Sequence, residues 1–210
     1  MNKFIVFFVC AFNIFTPFTY HLSGAQPQNQ SQTKQSETST QGVNCSPQLQ
    51  KTLQAILKIP EAINLINSIR KEGTISIVAK NNYLSKQFGA VWDPDQRVIY
   101  IEVSSDRTEG TLIGFLLFEL HNASVNYRIK ELNNMASRGE INKEKYVESM
   151  EYLEYINSLN ASRIAQIGIR MGALPWDSHL PTYNNFEDHF NAQKMSGHSD
   201  CFARNYDMCL

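Results

Sequence analysis

The chain has 210 residues, a formal net charge of −1 at pH 7 and 42% hydrophobic residues. This is the composition of a folded domain with a core, which excludes a wholly disordered chain. The near-neutral balance, without a basic stripe or interleaved aromatics, also excludes a general drive toward nucleic acid or an anionic membrane.

Residues 1–25 read as a secretory signal. Lys3 gives a short positive start, and Phe4 to Phe18 is largely apolar, broken only by Asn13, Thr16 and Pro17. Ser23-Gly24-Ala25 then places small residues at the cleavage-sensing positions. The apolar run is shorter than the roughly 20 residues of a spanning helix. The sequence thus predicts a secreted or periplasmic protein, with no membrane span after signal cleavage. Residues 26–44 are rich in Gln, Ser, Thr and Asn and cannot bury enough apolar area to order themselves. They read as a flexible linker before a single globular α+β domain at 45–210.

Structure is expected to begin at Ser46-Pro47, a cap followed by proline at the first helical position. Leu49, Leu53, Ile56 and Leu57 share a face. Pro60 opens a second helix with Ile63, Ile66 and Ile69 inward, and Gly73 ends it. Thr74 to Lys80 alternates as a strand does, and Asn81-Asn82 marks a turn. Phe88 to Val103, turning at Asp93 to Gln96, predicts a hairpin. One long helix is expected from a Thr108 cap to about Ser137, and another from Asn142 to Met171 with Gly172 beyond it. The tail from about residue 173 reads as irregular, with only Phe186 to Lys194 helical. The predicted architecture is therefore α+β: N-terminal helices, a small antiparallel sheet or hairpin, two long helices and an irregular C-terminal tail.

Signal cleavage would leave three cysteines: Cys45, Cys201 and Cys209. An exported chain favours a disulfide among them, with one thiol left over and the pairing open. His189, His198, Cys201 and Cys209 carry metal-capable atoms, but their spacing matches no zinc pattern, so the expectation is a disulfide and surface histidines. Glu144, Glu148, Glu151 and Glu154 share one helical side. The expectation there is a solvated face, with Glu151 the one that turns inward.

The segment most informative about function is Phe118-Glu119-Leu120-His121-Asn122. His-Glu-x-x-His binds zinc because residues four apart lie above one another on a helix, and the glutamate polarises the metal-bound water. Here Phe118 and Asn122 stand at the two histidine positions while Glu119 occupies that of the general base. His121 does not restore the pattern, lying about 200° around the helix from Glu119.

With Ala90-Val91-Trp92-Asp93 and Val98-Ile99-Tyr100-Ile101 before that helix, and Arg163 to Pro175 closing the region, the chain resembles zincin-type metallopeptidases of the secreted bacterial effector kind. The resemblance covers about residues 88–175. It implies a third, acidic ligand at Glu151 or Glu154, and a candidate cleft of His121, Asn122, Glu151 and Glu154 around Glu119 as the catalytic candidate. Lacking both histidines, the chain is expected to hold no metal and no cofactor, zinc entering only if it is an active hydrolase. The leading expectation is an exported, zincin-like protein that acts by binding an unknown protein partner. The alternatives are a peptidase-like hydrolase using Glu119 and a structural envelope or periplasmic protein. If Glu119 is merely structural, Arg163 or Arg170 is its expected partner, since an unpaired buried carboxylate is expensive.

Overall fold

The computed structural model describes residues 42–80 and 88–210. The predicted signal at 1–25, linker residues 26–41 and the Asn81-Asn82 turn lie outside the described residues. The elements in order are β1 (Val43–Cys45), α1 (Gln50–Ile56), α2 (Pro60–Arg70), β2 (Ile75–Ala79), β3 (Ala90–Asp93), β4 (Val98–Ile101), α3 (Glu109–Ser124), α4 (Asn126–Ser137), α5 (Lys143–Arg170), α6 (Phe186–Ser196) and α7 (His198–Cys209). The class is α+β, as predicted.

The sheet has the order β1-β2-β4-β3. β3 and β4 form the expected antiparallel hairpin, with Trp92 opposite Ile99. Asp93 fixes its turn by accepting from the backbone N–H groups of Asp95 and Gln96 at 3.0 and 2.9 Å. The sheet as a whole is mixed rather than antiparallel, because β2 runs parallel to both β1 and β4. β1 begins at Val43, so two residues expected in the linker are strand: Val43 pairs with Ile75 and Asn44 with Ser76.

α3 is the axis of the fold. Thr108 caps it by accepting from the Thr111 N–H at 3.0 Å. Every residue from Leu112 to Ala123 is buried, as a helix enclosed on all sides requires. It packs against β3 and β4, against α1 and α2, and against α5. The first core lies here, built on Leu53, Ile56, Ile66, Ile77, Trp92, Ile99, Leu116 and Phe118. Close approach is needed at Gly168 of α5, where a β-carbon would come within 2.5 Å of Ile59 and 2.6 Å of Leu174.

A single helix is expected from 108 to 137, but the chain breaks at Val125, which caps the end of α3 and starts α4. α4 turns away to join a second core with α5 and α7, containing Ile129, Ala136, Tyr146, Val147, Met150 and Phe202. α5 follows the prediction closely: Asn142 caps it through the Lys145 N–H at 2.8 Å, and Gly172 follows its end with a positive φ of 69°. The tail is helical rather than irregular. α6 extends the predicted Phe186–Lys194 segment, and Gly197, at φ 77°, supplies the left-handed corner from which α7 starts. No helix among the described residues is long and apolar enough to cross a membrane.

Candidate functional site

Glu119 does not open onto a cleft. Its side chain is wholly buried on α3, the helix that packs between the sheet and α5. Asn122, one turn along α3, donates from Nδ2 to Glu119 Oε2 at 3.1 Å. Asn157 of α5 donates to Asn122 Oδ1 at 2.8 Å. The result is a relay of carboxyl, amide and amide through the interior. Burial pushes the Glu119 carboxyl up from 4.5 to about 8, against the smaller opposing effects of the Asn122 amide and the Trp92 backbone N–H. At neutral pH the group is mainly the uncharged acid. The expected partner, Arg163 or Arg170, forms no ion pair with it; an amide and a proton replace the arginine. Phe118 is equally enclosed and belongs to the first core.

His121 points elsewhere, as its angular separation from Glu119 dictates. Burial, reinforced by the positive charge of Arg163, lowers its imidazole from 6.5 to about 4, so it is neutral across the physiological range.

The acidic stripe of α5 divides into two. Glu144 is exposed, and Glu148 lies on the solvent side, accepting from Lys145 at 2.7 Å. Glu151 and Glu154 are buried, contrary to the expected solvated face for Glu154. They do not turn toward Glu119. They meet α6 and α7, which bring His189, His198 and Ser199 to them. His198 Nδ1 lies 2.9 Å from Glu151 Oε1, and Ser199 Oγ donates to the same oxygen at 2.7 Å. His189 Nε2 lies 3.6 Å from Glu151 Oε2, and His198 Nε2 lies 3.5 Å from Glu154 Oε2. Burial raises the Glu151 carboxyl, but the polar contacts of His189, His198 and Ser199 and the charge of His198 outweigh it together, leaving its pKa below the ordinary value.

The expected surface histidines are therefore core residues. Their ligand-like arrangement is hidden in the sequence because it assembles across three helices rather than along one motif. A signal does exist. The buried positions of α5 include Val147, Met150, Glu151, Glu154, Asn157, Ser158, Ala161, Ile164, Ala165 and Gly168, and that three-four spacing places Glu151 and Glu154 on the inward stripe.

Among the described residues Cys45, Cys201 and Cys209, the three candidates for a disulfide, are free thiols. Cys45 is in β1, where burial pushes its thiol up to about 11. Cys201 and Cys209 lie two turns apart on α7, about 12 Å along its axis, beyond the reach of a disulfide. Cys201 Sγ instead accepts from Arg204 Nη2 at 3.0 Å.

Of the catalytic candidate and the four candidate cleft residues, the fold joins Glu119 to Asn122, joins Glu151 to Glu154 through His198, and leaves His121 outside both groups. No protein-family model, curated protein or solved structure matches this chain.

Proposed function

We propose that this is an exported, zincin-like protein without a hydrolytic centre at α3, and that it acts by binding a protein partner. The observation that carries this reading is the enclosure of Glu119. A general base must reach a substrate proton or its water. Glu119 is instead sealed in the core, carries its own proton near neutrality, and is held by an amide in the place of the second motif histidine.

A binding surface also needs exposed side chains able to anchor a partner. The groove between α4 and α5 has a volume of about 640 Å³ and is lined in part by Tyr127, Arg128, Glu131, Lys145, Tyr152 and Phe186. Tyr127 and Tyr152 remain 56% and 48% exposed. Tyrosine and arginine are the residue types that most often anchor protein interfaces, since they bury large area at low entropic cost.

The test combines two measurements on the mature chain. A broad peptide-library digestion is expected to show no turnover in either wild type or Glu119→Gln. A photo-crosslinker at position 152 is expected to trap one protein from the native surroundings, and Tyr127→Ala to abolish that trapping. Peptide hydrolysis by the wild type that disappears in Glu119→Gln would overturn the reading in favour of an enzyme.

A further inference from the structure

The buried Glu151–Glu154–His198 group gathers two carboxylates and an imidazole in one enclosed place. One ligand atom from each of the three residues lies within 4.8 Å of the others. All three residues are enclosed, at 0%, 2% and 3% exposure. Two carboxylates drawn together without solvent repel each other, and each resists burial as an anion.

The hydrogen bonds supply a second, independent observation. Glu151 Oε1 takes both good donors, His198 Nδ1 and Ser199 Oγ. That leaves Glu151 Oε2 with no hydrogen bond of ordinary length among the described residues, and with His189 Nε2 at 3.6 Å. His198 Nε2 also has no hydrogen-bond partner among the described residues, and it faces Glu154 Oε2 at 3.5 Å. A divalent cation held here by the imidazole and the two carboxylates would offset the repulsion between the two acids.

We propose that Glu151, Glu154 and His198 bind a first-row divalent metal, with zinc the best fit, and that the ion fastens α7 to α5. Bonds of about 2.0–2.1 Å in a tetrahedral site hold neighbouring ligands roughly 3.3 Å apart. The 3.5 Å separation of His198 Nε2 and Glu154 Oε2 is close to that edge and long for a charge-assisted hydrogen bond, whose length is about 2.7–2.9 Å. An imidazole with carboxylates suits zinc, whereas calcium and magnesium prefer all-oxygen shells and copper(I) prefers sulfur. Around the group, Ser199 Oγ donates to Glu151 Oε1 at 2.7 Å, and Phe88 and Phe202 meet the imidazole edge-on at 6.1 and 4.9 Å.

The site does not involve Glu119, so its existence is independent of whether the protein hydrolyses anything. The test adds Zn²⁺ to metal-stripped mature protein and follows binding by calorimetry and metal analysis. One equivalent per chain is expected, with a rise in melting temperature that a chelator reverses. His198→Ala and Glu154→Gln are expected to weaken binding at least a hundredfold, while Glu119→Gln binds as the wild type does. Should a variant fail to fold, Co²⁺ added to the wild type reports the same site, through the intense visible absorption of a tetrahedral centre. Folded wild-type protein that takes up neither ion overturns the proposal, as does zinc binding that survives in folded His198→Ala and Glu154→Gln.

Discussion

Glu119 and Glu151 are both completely buried glutamates on the two longest helices, yet the fold treats them in opposite ways. Glu119 has a single side-chain donor on its carboxyl oxygens and is driven upward to about 8, so it survives burial by keeping its proton. Glu151 is surrounded by His189, His198 and Ser199 and is held below its ordinary value, so it survives as an anion. Burial is the largest single influence on both and pushes both in the same direction; the neighbours decide the charge. The first environment is inert packing. The second concentrates charge, which is the raw material of a site.

The sharpest way to break this contrast is to remove the Glu151 charge. Glu151→Leu leaves His198 and Ser199 without their acceptor inside the second core. A loss of about 3–5 kcal/mol in unfolding free energy is expected from urea denaturation. A loss under about 1 kcal/mol would mean that the histidines do not depend on that anion.

The next effect emerges only when pH is varied. Glu119 is raised from 4.5 unfolded to about 8 folded, so the folded state holds the extra proton between those values. Its contribution to stability is complete below 4.5 and is lost as pH rises through 8, at up to about 1.4 kcal/mol per pH unit in between. His121 acts from the other side: lowered from 6.5 to about 4, its contribution is complete above 6.5 and is lost as pH falls through 4. Glu119→Gln keeps the shape and the acceptor for Asn122 without an ionisable proton. It is expected to melt like the wild type near pH 5 and well above it at pH 9. Parallel melting curves for the two proteins across that range would show that Glu119 is ionised throughout.

A smaller loss is expected from Asn122→Ala, which strips the donor from Glu119 and the acceptor from Asn157. Leaving those buried groups unpaired costs about 1–3 kcal/mol, measurable by chemical denaturation. The control is Glu148→Ala on the solvent side of α5. Its pair with Lys145 is exposed on both partners, and the change should stay within about 0.5 kcal/mol. Together the three carboxylates of α3 and α5 would then rank by environment rather than by residue type.

What is legible in the sequence is mostly local. Thr108, Asn142 and Gly172 mark helix ends because capping is a property of a few adjacent residues, and Asp93 to Gln96 marks the hairpin for the same reason. The break at Val125 has no glycine or proline to announce it; α4 diverges because Ile129 and Ala136 pack into the second core. β1 lies hidden at the end of a polar stretch, since three residues pairing with Ile75 to Ile77 need little hydrophobic pattern of their own. Phe118 and Asn122 plainly offer no imidazole, but protonation serves Glu119 where an arginine is expected. The Glu151 group is not readable from spacing, because its members come from α5 and from both sides of the Gly197 corner.

That corner also sets the order in which the molecule can be completed. The first core is closed largely by residues up to Ala123 together with the C-terminal half of α5, all synthesised well ahead of the end of the chain. The second core waits for the final helix: Phe202 belongs to it, His198 reaches back 47 residues to Glu151, and Tyr206 reaches back 65 to the Ile141 carbonyl. Until α7 leaves the ribosome, Glu151, Glu154 and the apolar faces of α4 and α5 lack the helix that covers them. A nascent or C-terminally clipped chain therefore holds a finished half beside an open one, and its exposed flank is the surface a chaperone or protease would meet first.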